Sequence, residues 1–377
     1  MSDLLDRTLE PFRSELARLR PSDSPVVDAH THLGLDEDGM SLDPAGLVGL
    51  LDDAGAAQAL VFPLHDPERV PSYRVPNDRV LAWAAESGGR FIPFCRLDPA
   101  DDPLPEAERC LNAGARGIKL HPRAQAFGMV GSGVEGIFAT AEQARVPILI
   151  HAGRGLPETF GAELVEIAHK HPGAPLILAH LGVADQGILV DGLASHPAAV
   201  FDTSWMNPLD VFGLLARVGP ERVVFGSDPP YGRTFTSLYM LLRVCASAGI
   251  SEAVMREVVG AGAMRLVDGQ ELLPAGPPAV PSRIELDARL ARIFSFCLMV
   301  FGSGIAGATD AAVGMLSLAL AVCRDPNPGA AGPALERIAP CLEAGIELFR
   351  SGEQPRRALP PVMLSMAIAA TEVRQGV

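Results

Sequence analysis

His30 and His32 close the segment Val26-Val27-Asp28-Ala29-His30-Thr31-His32. A short apolar run of this kind reads as a buried strand, and residues i and i+2 of a strand point to the same face. Two imidazoles on one face of a strand tip can share a cation, and imidazole is a common ligand for Zn and related metals. More candidates recur at the ends of later apolar runs: His151 after Pro147–Ile150, His180 after Pro175–Ala179, and Asp228 just past Val223–Gly226.

The elements that must position these groups follow a regular rhythm. Apolar runs occur at Val26–Ala29, Gln58–Pro63, Phe91–Leu97, Arg116–Leu120, Pro147–Ile150, Pro175–Ala179, Ala199–Thr203 and Val223–Gly226. Helical patterns fill the gaps at Pro44–Ala54, Asn77–Ser87, Pro105–Ala113, Gly133–Ala144, Glu158–His169, Asp185–Ser195, Leu209–Val218 and Thr236–Ala248. Continuous apolar strands alternating with helices indicate a parallel sheet covered on both faces. Eight such units in about 240 residues match a (β/α)8 TIM barrel, whose usual size is about 250 residues. An open doubly wound sheet is the competing α/β architecture. Neighbouring strands lie ~4.8 Å apart and metal–ligand bonds are ~2 Å, so side chains from the first and last strands meet only if the sheet closes. The ligand candidates therefore select the barrel.

Outside residues 25–270, assigned to the barrel, the pattern changes. Residues 1–24 hold an N-terminal helix, with acids, bases and leucines at helical spacing over 4–20 and a stop at Pro21. Residues 271–283, which include Leu273-Pro274-Ala275-Gly276-Pro277-Pro278, have the composition of a linker. Residues 284–377 show helical stretches near 284–300, 308–323, 333–350 and 360–374, a C-terminal α-helical extension expected to pack on the barrel or on a second copy, so that a homo-oligomer through these helices is anticipated. The segment from Ile293 to Ala308 is apolar, but Gly302, Ser303, Gly304 and Gly307 interrupt it. It is also shorter than the ~20 residues a membrane span needs, so it reads as a buried helix.

Composition narrows the function. The chain has 377 residues, an apolar content of 48% and a net charge of −14, with no Lys/Arg run that would grip nucleic acid. Six cysteines are scattered without a CxxC. Free thiols and an N-terminus lacking a secretory apolar core point to the cytoplasm.

The chain resembles the amidohydrolase superfamily, in the branch that includes decarboxylases and lactonases. The resemblance rests on Asp28-Ala29-His30-Thr31-His32, Ile148-Leu149-Ile150-His151-Ala152-Gly153, Leu178-Ala179-His180-Leu181-Gly182 and Phe225-Gly226-Ser227-Asp228-Pro229-Pro230, and it spans roughly residues 25–270. It implies that His30, His32 and His151 supply neutral nitrogen ligands and that Asp228 adds a carboxylate at or beside the metal. Asp228 would also accept a proton from a metal-activated water, with His180 as the acid–base partner. One divalent transition metal is expected, Zn favoured. Some members of the superfamily carry a carboxylated lysine bridging two metals on the fourth strand. Lys119 in Gly117-Ile118-Lys119-Leu120-His121-Pro122 stands there, and if it is carboxylated, His151 and His180 would bind a second ion.

The substrate pocket is assigned from the strand tips. Lys119 and His121 share strand parity and are both assigned to the cavity. Arg96, Arg123, Arg154 and Arg233 each stand at or just after a strand end. A guanidinium offers a planar fork for a carboxylate, so a small anionic substrate is expected. Trp205 either walls the pocket or packs at its rim, and His65 after the second strand is a weaker candidate. His169, His171 and His196 are read as helix-end residues that favour the dipole. The expected activity is hydrolysis of a carboxyl-derived carbon, as in a lactone, amide or imide. Non-oxidative decarboxylation is the runner-up, and a barrel that has lost catalysis and serves as a scaffold is the rival from another class.

Overall fold

Apolar runs that cannot face water on either side become the staves of a barrel. In the computed structural model, which describes residues 2–281, 284–305, 308–352 and 355–372, the strands are β1 (Val27–Leu35), β2 (Ser41–Leu42), β3 (Gln58–Pro63), β4 (Phe91–Pro93), β5 (Cys95–Arg96), β6 (Ile118–Leu120), β7 (Ile148–Ile150), β8 (Leu176–Leu178), β9 (Ala199–Asp202) and β10 (Val223–Val224). Two ladders run β2-β1-β3-β4 and β5-β6-β7-β8-β9-β10. Every pairing is parallel except that of β2, a short antiparallel addition to β1.

Backbone hydrogen bonds join the ladders at both seams. β4 and β5 are the single run expected over Phe91–Leu97, divided at Phe94. Phe94 N donates to Val61 O at 2.8 Å, whereas Cys95 N donates to Gly117 O at 3.0 Å. The stave thus changes neighbour in mid-course. At the other seam Ala29 N donates to Phe225 O (2.9 Å) and Asp228 N to His30 O (2.7 Å), linking the first strand to the last. The fold is a (β/α)8 TIM barrel with helices outside it and a helical C-terminal region.

Alternation along the strands separates two apolar layers. Val27, Ala29, Leu60, Phe62, Phe94, Leu149, Ile177, Val200 and Val224 form an inner cluster, joined by Ala263, Leu266 and Val267 of the helix Gly262–Val267. Their neighbours in sequence, such as Val61, Ile148, Ile150, Leu176 and Leu178, belong to the outer core shared with the helices. Lys119 lies opposite Leu149 in register, so its parity is inward.

The barrel helices lie close to their expected ranges, from Pro44–Ala54, which Asp43 caps by accepting from Gly46 N (2.7 Å), to Thr234–Ser247. The most shortened is Gln186–Gly192, in place of the expected Asp185–Ser195. His196 therefore lies beyond the helix, buried, with its Nδ1 accepting from Ala198 N, and has no dipole role. His169 does stand in the last turn of Phe160–Lys170, 2.9 Å from Gly192 O, and His171 at its C-cap contacts Glu142.

The four expected C-terminal helices are Ala288–Ile305, Thr309–Cys323, Gly332–Arg350 and Pro355–Thr371. Positions 282–283 of the expected linker, and 306–307, 353–354 and 373–377 of the expected extension, lie outside the described residues. The helices share one core with the outside of the barrel. Arg243 of helix Thr234–Ser247 donates to Glu15 of the N-terminal helix Ser2–Leu19 (2.6 Å) and to Thr371 Oγ1 (2.8 Å), and Arg337 also bonds Glu15. The Pro-rich stretch before them runs along the barrel, where Gly276 N donates to Glu221 and Ala279 N to Leu215 O, both at 2.9 Å. Among the described residues no helix is long and apolar enough to cross a membrane.

Candidate metal centre

The pairing of β1 with β3 shifts register between Asp28 and Thr31. Such a bulge re-aims side chains, and here it lies where His30 begins the site. His30 Nε2 is 3.3 Å and His32 Nε2 3.1 Å from the same Asp228 oxygen, Oδ1. The three residues are buried, and their candidate ligand atoms all lie within 4.8 Å of one another. Gly226, two residues before Asp228, permits this approach. A Cβ there would stand 3.0 Å from His30 Cβ and 3.3 Å from Asp202 Cβ.

Hydrogen bonds fix which nitrogens are bare. His30 Nδ1 lies 2.8 Å from Asp202 Oδ2, so a neutral His30 places its proton there and leaves a lone pair on Nε2. Asp228 Oδ1 is also an acceptor. Two acceptors 3.3 Å apart repel unless positive charge lies between them, and ligand atoms on a tetrahedral ion with ~2.0–2.1 Å bonds are separated by roughly this distance. The donor set therefore fits a divalent cation.

A second chain of bonds runs through His180. Its Nδ1 is 3.1 Å from Ser204 O, a pure acceptor, and its Nε2 is 3.1 Å from His151 Nδ1. With the proton on His180 Nδ1, Nε2 accepts from His151 Nδ1–H. His151 Nε2 is then bare, and it is buried with no hydrogen-bond partner among the described residues. His151 is not one of the three clustered residues, yet this tautomer gives it a free lone pair. His180 and Leu181 hold left-handed backbone (φ 58° and 54°), a conformation that surrounding contacts must sustain. His180 N donates to Asp202 Oδ1 at 3.2 Å, and Ser204 N to the same atom at 2.9 Å.

The other expected residues divide into those near the ring and those away from it. Lys119 is fully buried, with Nζ 3.2 Å from His30 Nε2 and 4.6 Å from the centre of the Phe62 ring. His121 stacks on His151 at 3.9 Å, while its Nδ1 accepts from Ala124 N. Arg96 is buried at the tip of β5 and His65 stands 3.4 Å from its Nη2. Arg123 and Arg154 are exposed. Arg233 is drawn to Asp53 at 2.9 Å, on the helix layer. Trp205, with φ 57°, rests edge-on against Phe301 of helix Ala288–Ile305, 6.5 Å between centres.

Asp202 and Ser204 are residues that the sequence reading missed. Asp202 ends β9, and a carboxylate at a strand tip is the sequence signal for it. Asp28 accepts from Ser227 N (2.9 Å) and from the Ser227 hydroxyl, tying β1 to the segment after β10.

Burial sets the charge states. It pushes His30 down to about 3, helped by Lys119 and opposed by Asp202, and it holds His32, His121 and His151 well below and His180 below the usual imidazole range. Burial would raise the Asp202 carboxyl, but His30 and His180 keep it below its ordinary value. Lys119 is lowered to about 7 and Asp28 is raised to about 7, both by burial. Neutral imidazoles are the form that binds metal.

The pH consequence has a definite sign. An unfolded imidazole titrates near ~6.5, so between that value and the folded values the unfolded chain binds more protons. The stability from these groups is complete above ~6.5 and falls with pH toward 3. Asp28 acts oppositely between ~3.9 and 7 but is one group against five imidazoles. The melting temperature of the metal-free protein is therefore expected to fall steadily as pH drops below ~6.5. A melting temperature that stays flat across that window would contradict this.

Residues 27–269 match the family described as Amidohydrolase. Among solved structures, 5-carboxyvanillate decarboxylase from Sphingomonas paucimobilis is similar at 15% identity and TM-score 0.52, with 65% of this chain and 99% of that one covered. A TIM-barrel protein from Bordetella bronchiseptica gives 13%, 0.52, 65% and 99%. IDCase from Metarhizium anisopliae in apo form gives 16%, 0.52, 66% and 98%. No curated protein matches the chain.

Proposed function

The chain belongs to the amidohydrolase family, and on that premise we propose that it is a metal-dependent hydrolase of a small carboxylated lactone, amide or imide, with non-oxidative decarboxylation as the alternative reaction of the same site. The observation that carries this reading is the buried convergence of His30, His32 and Asp228 within 4.8 Å. These three residues would hold the cation, with His151 Nε2 as a further nitrogen and Zn as the favoured ion. When bound, the cation lowers the pKa of a coordinated water from ~15.7 to about 7 and polarises a carboxyl oxygen.

The remaining roles belong to the chain's own groups. Asp202 orients His30 through Nδ1, and Ser204 O fixes the His180 tautomer. Asp228 is the carboxylate placed to take a proton from the attacking water. His180 starts neutral because burial lowers it, and Nε2, which accepts from His151 Nδ1, is the atom at which it would take over the proton from Asp228 and deliver it to the leaving group.

Product analysis separates the two reactions. The metal-loaded protein is incubated with carboxylated lactones, cyclic amides and imides, and with aromatic carboxylic acids. Ring opening without gas identifies hydrolysis, and released carbon dioxide identifies decarboxylation. A chelator should abolish whichever is found, and restored metal should return it. Undiminished turnover in a chelated, metal-free sample would overturn the proposal.

A further inference from the structure

Arg96 is 1% exposed at the tip of β5, and a buried guanidinium without a counter-charge is costly. Among the described residues no carboxylate lies within ion-pair distance of it. Its contacts are Nη1 to Pro63 O (3.2 Å), Nε to Gln125 Oε1 (3.4 Å), Nη2 beside His65 Nδ1 (3.4 Å), and the Tyr73 ring 5.1 Å below. His65 Nδ1 is held more closely by the Tyr73 hydroxyl at 2.6 Å. The nearby acids act only from beyond ion-pair distance: Asp36, whose charge is felt at Arg96, accepts from His65 N (3.1 Å), and Glu37 pairs with Arg69. Each terminal nitrogen carries two N–H donors, and among the described residues these contacts account for one on each, so each has a donor to offer a planar carboxylate, end-on as a fork.

Register places that fork beside the metal centre. Pro63, whose carbonyl Arg96 bonds, follows Phe62, the partner of His32 across β1 and β3. On the other side Arg96 is in register with Lys119, whose Nζ is 3.2 Å from His30 Nε2. The other expected arginines lack this setting, since Arg123 and Arg154 are exposed and Arg233 is paired with Asp53.

Resting on the metal-enzyme reading above, we propose that Arg96 is the residue that receives the substrate carboxylate, gripping it end-on beside the His30–His32–Asp228 cluster, with Tyr73 and Gln125 as positioning residues that hold the guanidinium plane. A planar carboxylate bound there would neutralise the buried charge and set the substrate class as organic acids with a carboxylate adjoining the reacting group.

Calorimetric titration with benzoate and its neutral counterpart benzamide tests this on the full-length, metal-loaded protein. The natural chain should bind benzoate and discriminate against benzamide. Arg96→Gln should weaken benzoate by about 10- to 100-fold, the worth of one charged hydrogen-bonding group. Arg96→Lys, which keeps the charge and spares the fold, should show an intermediate loss, while Arg324→Gln, at an exposed residue of the C-terminal helices, binds as the natural chain does. The assignment is overturned if both Arg96 variants bind benzoate unchanged, if benzamide binds equally well, or if the natural chain binds no benzoate. Metal per chain is measured in the same samples. Loss of benzoate on Arg96 substitution in a chain that takes up no metal would sustain this assignment and sink the metal-enzyme reading.

Discussion

The His30→Ala, His32→Ala double variant is expected to lose its bound metal and its turnover together while retaining the barrel. Both imidazoles point at one Asp228 oxygen, at 3.3 and 3.1 Å, so their removal leaves too few clustered donors for a divalent ion. Catalysis should fall to background, because metal activation of water lowers a pKa from ~15.7 to about 7 and nothing else in the site replaces that. The fold should survive, since the inner cluster of Val27, Leu60, Leu149, Ile177 and Val224 is untouched. Elemental analysis and far-ultraviolet circular dichroism check the two halves. Full metal retention in the double variant would refute the assignment.

The second large effect is expected at His180. His180→Asn should keep the metal and lose about 10²- to 10⁴-fold in kcat, the usual contribution of a general acid–base group. The Asn amide can still bond Ser204 O or His151, so the local framework has a partner, but it cannot carry the proton. The pH–rate profile should lose one limb as well, which a purely structural loss would not cause. A variant turning over at the natural rate would remove His180 from the chemistry.

The barrel and the strand-tip residues were legible because both depend on local pattern. Continuous apolar runs need two covered faces, and a period of two fixes which side chains face inward. His30 and His32 were visible for the same reason. Tertiary contacts decided what pattern could not show. The run Phe91–Leu97 gave no sign that it would divide at Phe94, because the division depends on two different neighbouring strands, through Val61 and Gly117. The bulge between Asp28 and Thr31 is set by pairing with β3. Arg233 and Arg96 looked alike as strand-end arginines, yet Asp53 from a distant helix draws one away, while the other is buried with no carboxylate within ion-pair distance among the described residues. Asp202 was hidden because a carboxylate's role in orienting His30 is a contact between residues 172 positions apart.

The most direct test is a diffraction experiment on Zn-soaked crystals, with anomalous maps collected on both sides of the Zn absorption edge. The account predicts one anomalous peak per chain, bounded by His30, His32 and Asp228, with His151 Nε2 turned toward it and Lys119 unmodified. A second peak between His151 and His180, with added density on Lys119, would replace the one-metal site by a two-metal one. No peak at the strand tips of a folded, Zn-saturated protein would contradict the central claim.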